Sequence, residues 1–87
     1  MIKNKKELDN KLKRLIIENS IRKIDLNEIE EEDDLFEDFG FDSIQVVRLF
    51  SQIERELFKN ENIDWIIITN YGELMNFILD KLSTEEL

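Results

Sequence analysis

Apolar residues recur along the chain in steps of three and four, and that rhythm predicts three substantial helices. Leu8, Leu12, Leu15 and Ile16, with Asn19 in line behind them, line one face of a helix expected over about residues 5–19. Lys5, Lys6, Lys11, Lys13 and Arg14 surround that stripe on the solvent side. Val46, Leu49, Phe50, Ile53 and Leu57 give the clearest repeat and predict a second helix from residue 42 or 43 to about 58. Leu74, Phe77, Ile78 and Leu82 mark the last, expected to end near residue 81. Asn70 with Glu73 three positions later has the spacing of a capping box at its start. Residues 83–87 are expected to fray.

The connections are less regular. Residues 20–34 form a long loop in which Ile21, Ile24, Leu26 and Ile29 are scattered apolar anchors, so it is expected to be tied to the core. Leu35, Phe36 and Phe39 then return the chain to the core before Gly40. After a polar turn over residues 59–62, the run from Ile63 to Ile68 fits a short helix or a strand by periodicity alone. We expect a short helical turn, since the chain offers no second strand to pair with it. Three helices and a short one, with a long first loop, bury their stripes as a small all-α bundle. Trp65 and Tyr71 are expected in core or rim packing.

With 87 residues the chain is a single domain with one modest core, too small for a deep enclosed active site. A hydrophobic content of 41% with two Gly and no Pro places it among folding chains. The longest apolar run, Trp65 to Ile68, falls far short of the roughly 20 residues of a membrane span, and the amino terminus lacks a signal-peptide apolar region. A cytoplasmic protein without membrane partners is expected, and the starting Met with a complete helical count suggests a free-standing one. The chain has no Cys and no His. This excludes disulfides, the usual zinc sites, a Cys nucleophile and a Ser-His dyad.

Charge changes the picture further. Residues 1–23 carry eight Lys/Arg against three Asp/Glu, a net of +5; residues 24–47 carry ten acids and no base; residues 48–87 carry four bases and eight acids, a net of −4. The chain as a whole stands at −9, which repels nucleic acid and steers cationic protein surfaces toward it. The densest acidic run, Glu30 to Asp34, lacks the ligand order of a calcium loop and reads as solvated; no metal site is expected in the chain itself.

The chemistry converges on Gly40-Phe41-Asp42-Ser43-Ile44, where the acidic loop meets the second helix. Asp42 and Ser43 suit a helix start because their side-chain oxygens accept from first-turn amides, and Gly40 supplies backbone freedom just before. Ser43 thereby sits at the positive end of a helix dipole, well placed to carry a phosphoester. Ile44 and Val47 lie off the core stripe on the flank of Ser43, which favours a contact surface over burial.

The segment Asp34-Leu35-Phe36-Glu37-Asp38-Phe39-Gly40-Phe41-Asp42-Ser43-Ile44 resembles the acyl carrier proteins and the related peptidyl carrier domains. It matches that family's acidic, apolar-punctuated loop ending in Gly-x-Asp-Ser-Leu, with Ile44 standing where Leu or Met is commonest. The resemblance implies a four-helix bundle with a short third helix at about residues 63–68. It implies 4′-phosphopantetheine on Ser43, transferred from coenzyme A by a phosphopantetheinyl transferase, and a thioester-bound acyl group on its thiol. By the same matching Asp42 assists attachment, through a magnesium ion, and Ile44 and Val47 are the apolar contacts at the start of the partner-recognition helix; with Arg48 and the acid Asp38 beside them, they read as the surface met by loading enzymes and synthases. The second helix interrupts its acids with Gln45, Arg48 and Arg55, which disfavours partners built as plain basic patches and points to polyketide, nonribosomal peptide or related specialised biosynthesis. On this reading the chain is a monomeric, non-catalytic substrate of its partner enzymes. Three alternatives stand beside it: an aminoacyl or peptidyl carrier of the same fold, an acidic adaptor that has lost the arm, and a small serine hydrolase, which the absence of His disfavours.

Overall fold

Each apolar stripe becomes the buried face of a helix: α1 (Lys5–Asn19), α2 (Ser43–Leu57) and α3 (Tyr71–Glu86). The computed structural model describes residues 4–59 and 61–86, the last four as backbone only. Asn4 caps α1 by accepting from the Glu7 amide at 2.9 Å. Asn70 and Glu73 form the expected box at α3, with the Glu73 amide donating to Asn70 Oδ1 at 2.8 Å and the Asn70 amide to Glu73 Oε1 at 3.3 Å. The Thr69 amide and hydroxyl donate to the same oxygen, and these bonds hold the Glu73 carboxyl below the usual carboxylate range. α3 continues to Glu86, beyond the expected end near residue 81, and its last turns extend through the stretch expected to fray; Leu87 lies outside the described residues.

The core joins Leu8, Leu12, Leu15 and Ile16 of α1 to Val46, Leu49 and Ile53 of α2 and to Tyr71, Leu74, Met75 and Ile78 of α3. α1 packs on both other helices. The long loop adds Ile29, Leu35, Phe39 and Phe41, and has a single 3-10 turn at Leu26–Glu28 with its own capping box from Asp25 and Glu28. Ile24 packs partly against the core, whereas Ile21 is 83% exposed and Phe36 43% exposed, so these two do not serve as the anchors expected of them. Backbone bonds carry that duty instead. The Asp34 side chain accepts from the Phe36 and Glu37 amides and its carbonyl from those of Asp38 and Phe39, coiling the loop on itself without help from the Phe36 ring.

The expected short third helix is not formed, and the described residues hold three α-helices rather than the four expected. Residues 61–69 are neither helix nor strand. β-branched Ile66, Ile67 and Ile68 lose side-chain freedom in a helix, and both flanks of the run are held by other partners. Glu54 Oε2 accepts from the Ile63 amide at 2.8 Å and from the Trp65 indole at 3.0 Å. At the far end the Leu35 amide donates to the Thr69 carbonyl, and Asp34 and Asn70 form an isolated antiparallel bridge. The segment occupies the gap between α2 and α3: Trp65 stacks on Phe50 of α2 with ring centroids 3.9 Å apart and on Phe77 of α3 at 5.2 Å.

The start of α3 is seated tightly on the long loop. The Tyr71 and Gly72 amides donate to the Asp33 and Glu31 carbonyls, and a Cβ on Gly72 would stand 3.2 Å from that Glu31 oxygen, an approach that explains a glycine within a helix. Buried Tyr71 donates to Asp9 Oδ1 at 2.6 Å; burial, then the Asp9 carboxylate, pushes its phenol pKa up, so the hydroxyl stays protonated.

Candidate functional site

At the loop–α2 junction, Asp42 is the residue before the helix and Ser43 its first member. Asp42 Oδ1 accepts from the Gln45 amide at 2.8 Å, and Gln45 Oε1 accepts in return from the Asp42 amide at 2.9 Å. This reciprocal box frees Ser43 from capping duty: its side chain is exposed and its hydroxyl makes no hydrogen bond within the described residues. Gln45 helps to position this junction and is not revealed by the apolar pattern, although the Asp-x-x-Gln spacing is its signal. Gln45 Nε2 also donates to the Asn19 carbonyl, and Asn19 Nδ2 to Gln52 Oε1 at 2.8 Å, so a polar ladder sets α2 against the end of α1. Glu56 continues it, accepting from Gln52 and pairing with Lys11, which hold its carboxyl below the ordinary range.

The approach to Ser43 is shaped by Gly40 and Arg22. Gly40 has φ 73°, the left-handed region, and Arg22 lies over it, with Nε 2.5 Å from where a Cβ would stand. Arg22 Nη1 donates to the Glu37 carbonyl at 2.9 Å and the Asp38 carbonyl at 3.3 Å, and Ser20 Oγ donates to the Phe39 carbonyl at 3.0 Å. The end of α1 thus clamps the turn that delivers Ser43. Sequence reasoning leaves Arg22 in the basic amino-terminal block, because its partners lie 15 and 16 residues away and no periodicity links them. Gly40→Ala is expected to cost about 1–2 kcal/mol from the left-handed backbone, with a further loss as Arg22 is displaced; urea denaturation measures it.

Ser43, Ile44, Val47 and Arg48 together line a shallow depression of about 270 Å³. Ile44 and Val47 are each 63% exposed, as their offset from the core stripe predicts. Asp38 lies elsewhere. Its carboxylate accepts from the Asp34 amide at 2.7 Å, and it lines a second depression with Arg22, Lys23, Ile24, Glu28, Asp33 and Phe39. In the Glu30 to Asp34 run, a hydrogen bond with Glu32 and the charges of Glu32 and Asp33 push the Glu30 carboxyl up. No three acidic side chains converge as a cation site among the described residues, and no helix there is long and apolar enough to cross a membrane.

A family model described as phosphopantetheine attachment site matches residues 12–64, more than half of the chain and spanning the whole loop–α2 junction. No curated protein and no solved structure matches.

Proposed function

The chain belongs to the phosphopantetheine attachment site family, whose members are carrier domains holding 4′-phosphopantetheine covalently, and on that premise we propose that Ser43 is the attachment residue. The observation that supports this most is the Ser43 hydroxyl itself, exposed, without an internal partner, and bordering the depression with Ile44, Val47 and Arg48. The site suits the group. A hydroxyl at a helix start is reachable by another enzyme, and a chain with no Cys needs an imported thiol to hold a thioester. In the transfer, Ser43 Oγ forms a bond to the phosphorus that bears pantetheine as the phosphoanhydride of coenzyme A breaks; adenosine 3′,5′-bisphosphate leaves and the hydroxyl proton passes to the transferase. When bound, the arm supplies a thiol that holds an acyl group as a thioester. The chain's residues present and orient that arm, and the reactions on the cargo belong to partner enzymes.

Asp42 has two duties in this reading, capping α2 and assisting attachment by a metal-dependent transferase. The two separate by substitution. Asp42→Asn retains an oxygen for the Gln45 amide and is expected to stay within about 0.5 kcal/mol of wild type while transfer onto Ser43 slows at least tenfold, whereas Asp42→Ala loses roughly 1 kcal/mol as well. Denaturation midpoints and rates of transfer followed by mass check both. Equal transfer rates in wild type and Asp42→Asn would remove the second duty.

Ile44, Val47 and Arg48 form one face offered to partners, and Asp38 offers them a second contact from the separate depression it lines. The charges of α2 support a dedicated biosynthetic pathway: Glu54 is engaged with Ile63 and Trp65, and Glu56 with Lys11 and Gln52, while Arg48 and Arg55 are exposed. A partner presenting only a basic patch finds little complement there. Incubation with coenzyme A and a promiscuous transferase tests the proposed function: the intact mass should rise by one phosphopantetheinyl group. No rise, beside a known carrier loaded in the same reaction, would sink it.

A further inference from the structure

Arg48 is exposed and has neither an ion pair nor a hydrogen bond within the described residues. Lys11 is engaged with Glu56, Lys13 with Asp9, and Arg22 with the Glu37 and Asp38 carbonyls, whereas Arg14 and Arg55 likewise lack an ion pair or hydrogen bond within the described residues but do not line the depression of Ser43. An unpaired guanidinium on an acidic protein calls for a partner, and its place in the fold suggests which. It shares the depression of Ser43, Ile44 and Val47, and it is the first basic residue after a stretch, residues 24–47, that holds ten acids and no base.

We infer that Arg48 binds the phosphodiester of the arm attached to Ser43 and thereby lays the arm along the Ile44–Val47 side of α2. The inference rests on the attachment proposed above and goes beyond it to the arm's resting orientation. Attachment adds a permanent negative charge beside Asp42, where the surrounding sequence has only acids to offer. Among the residues lining the depression, Arg48 alone can neutralise it. A guanidinium suits the task because its planar fork can donate two bonds to one phosphate, and the apolar walls supplied by Ile44 and Val47 match the methyl groups that pantetheine carries next to its phosphate. Arg48 is thus a positioning residue: it touches the arm and sets where the thiol starts its search for a partner, without taking part in the thioester chemistry. The exposure of the pair keeps the contact weak and reversible, so partner enzymes can draw the arm away.

The test compares wild type, Arg48→Lys and Arg48→Gln, each first shown by intact mass to carry one phosphopantetheinyl group, so that failure of attachment is read separately from failure of this inference. The phosphodiester ³¹P resonance of the wild type should differ from that of Arg48→Gln at low salt and move onto it in 1 M NaCl, with Arg48→Lys between them. A nitroxide on the arm's thiol should broaden the amides of Ile44, Val47 and Arg48 about two- to fivefold more strongly in wild type than in Arg48→Gln, the range an exposed ion pair gives. Identical ³¹P shifts and identical broadening in wild type and Arg48→Gln, with all three proteins loaded, would overturn the inference. Since Arg48 is exposed, all three are expected to fold alike, which their amide spectra verify.

Discussion

Ser43→Ala is expected to abolish phosphopantetheine attachment completely while leaving stability within about 0.5 kcal/mol of wild type. The two halves of this result follow from one arrangement. Asp42 and Gln45 carry the capping of α2, so the Ser43 hydroxyl contributes nothing to the helix that Ala cannot replace. Ser51 is the informative control, being exposed on the same helix but away from the Gly40 turn. Ser51→Ala should load like wild type, and residual loading of Ser43→Ala at even a tenth of the wild-type extent would place the attachment elsewhere. Intact mass after reaction with coenzyme A and transferase reads both variants, and thermal denaturation reads the fold.

The largest stability effect is expected at Trp65. Its ring fills the space between Phe50 and Phe77, and its indole N–H satisfies Glu54. Trp65→Ala removes both contacts and leaves a void between α2 and α3, at a cost of about 3 kcal/mol, the lower end for loss of a large aromatic because the side chain is only half-buried. For a domain of this size that is a fall in Tm of roughly 12–24 °C. Trp65→Phe keeps a ring in the stack and loses only the hydrogen bond, about 1 kcal/mol. Circular dichroism melts separate the two substitutions. A Trp65→Ala protein that melts within 2 °C of wild type would show that the segment is not held by the stack.

The parts of the fold that depend on local periodicity were legible in the chain. α1 and α2 follow their stripes closely, and Asn70–Glu73 announces the start of α3. What was not legible depends on partners distant in sequence. Residues 63–68 have no decisive period, and their conformation is set by Glu54, Thr69 and the bridge from Asp34 to Asn70, none of which a local window can see. Ile21 and Phe36 show the converse failure: an apolar residue in a loop looks like an anchor until backbone bonds are found to hold the loop without it. At the site, Gly40, Asp42, Ser43, Ile44 and Val47 could be singled out because turn, cap and stripe each impose a residue type. The contacts of Arg22 and the ladder bonds of Asn19 with Gln45 and Gln52 could not, since they join residues 15 to 33 positions apart. Phe41, lodged between Gly40 and Asp42, is buried against Phe39 with ring centroids 6.2 Å apart and pins the turn from within.

These contacts explain how an 87-residue chain without Cys or His is built to present an attachment point. The clamp of Arg22 on the turn, the box at Asp42 and the ladder behind α2 together fix the place of one hydroxyl and leave it unencumbered. On the proposed function, reactivity resides in the arm and in the enzymes that meet it. The most direct measurement is fragmentation mass spectrometry of the protein taken from its native cell. The account predicts a single phosphopantetheinyl group, free or acylated, on the peptide containing Ser43, with Ser20, Ser51 and Ser83 unmodified; an arm on any of those three, or a protein that stays unmodified while other carriers of the same cell are loaded, would contradict it.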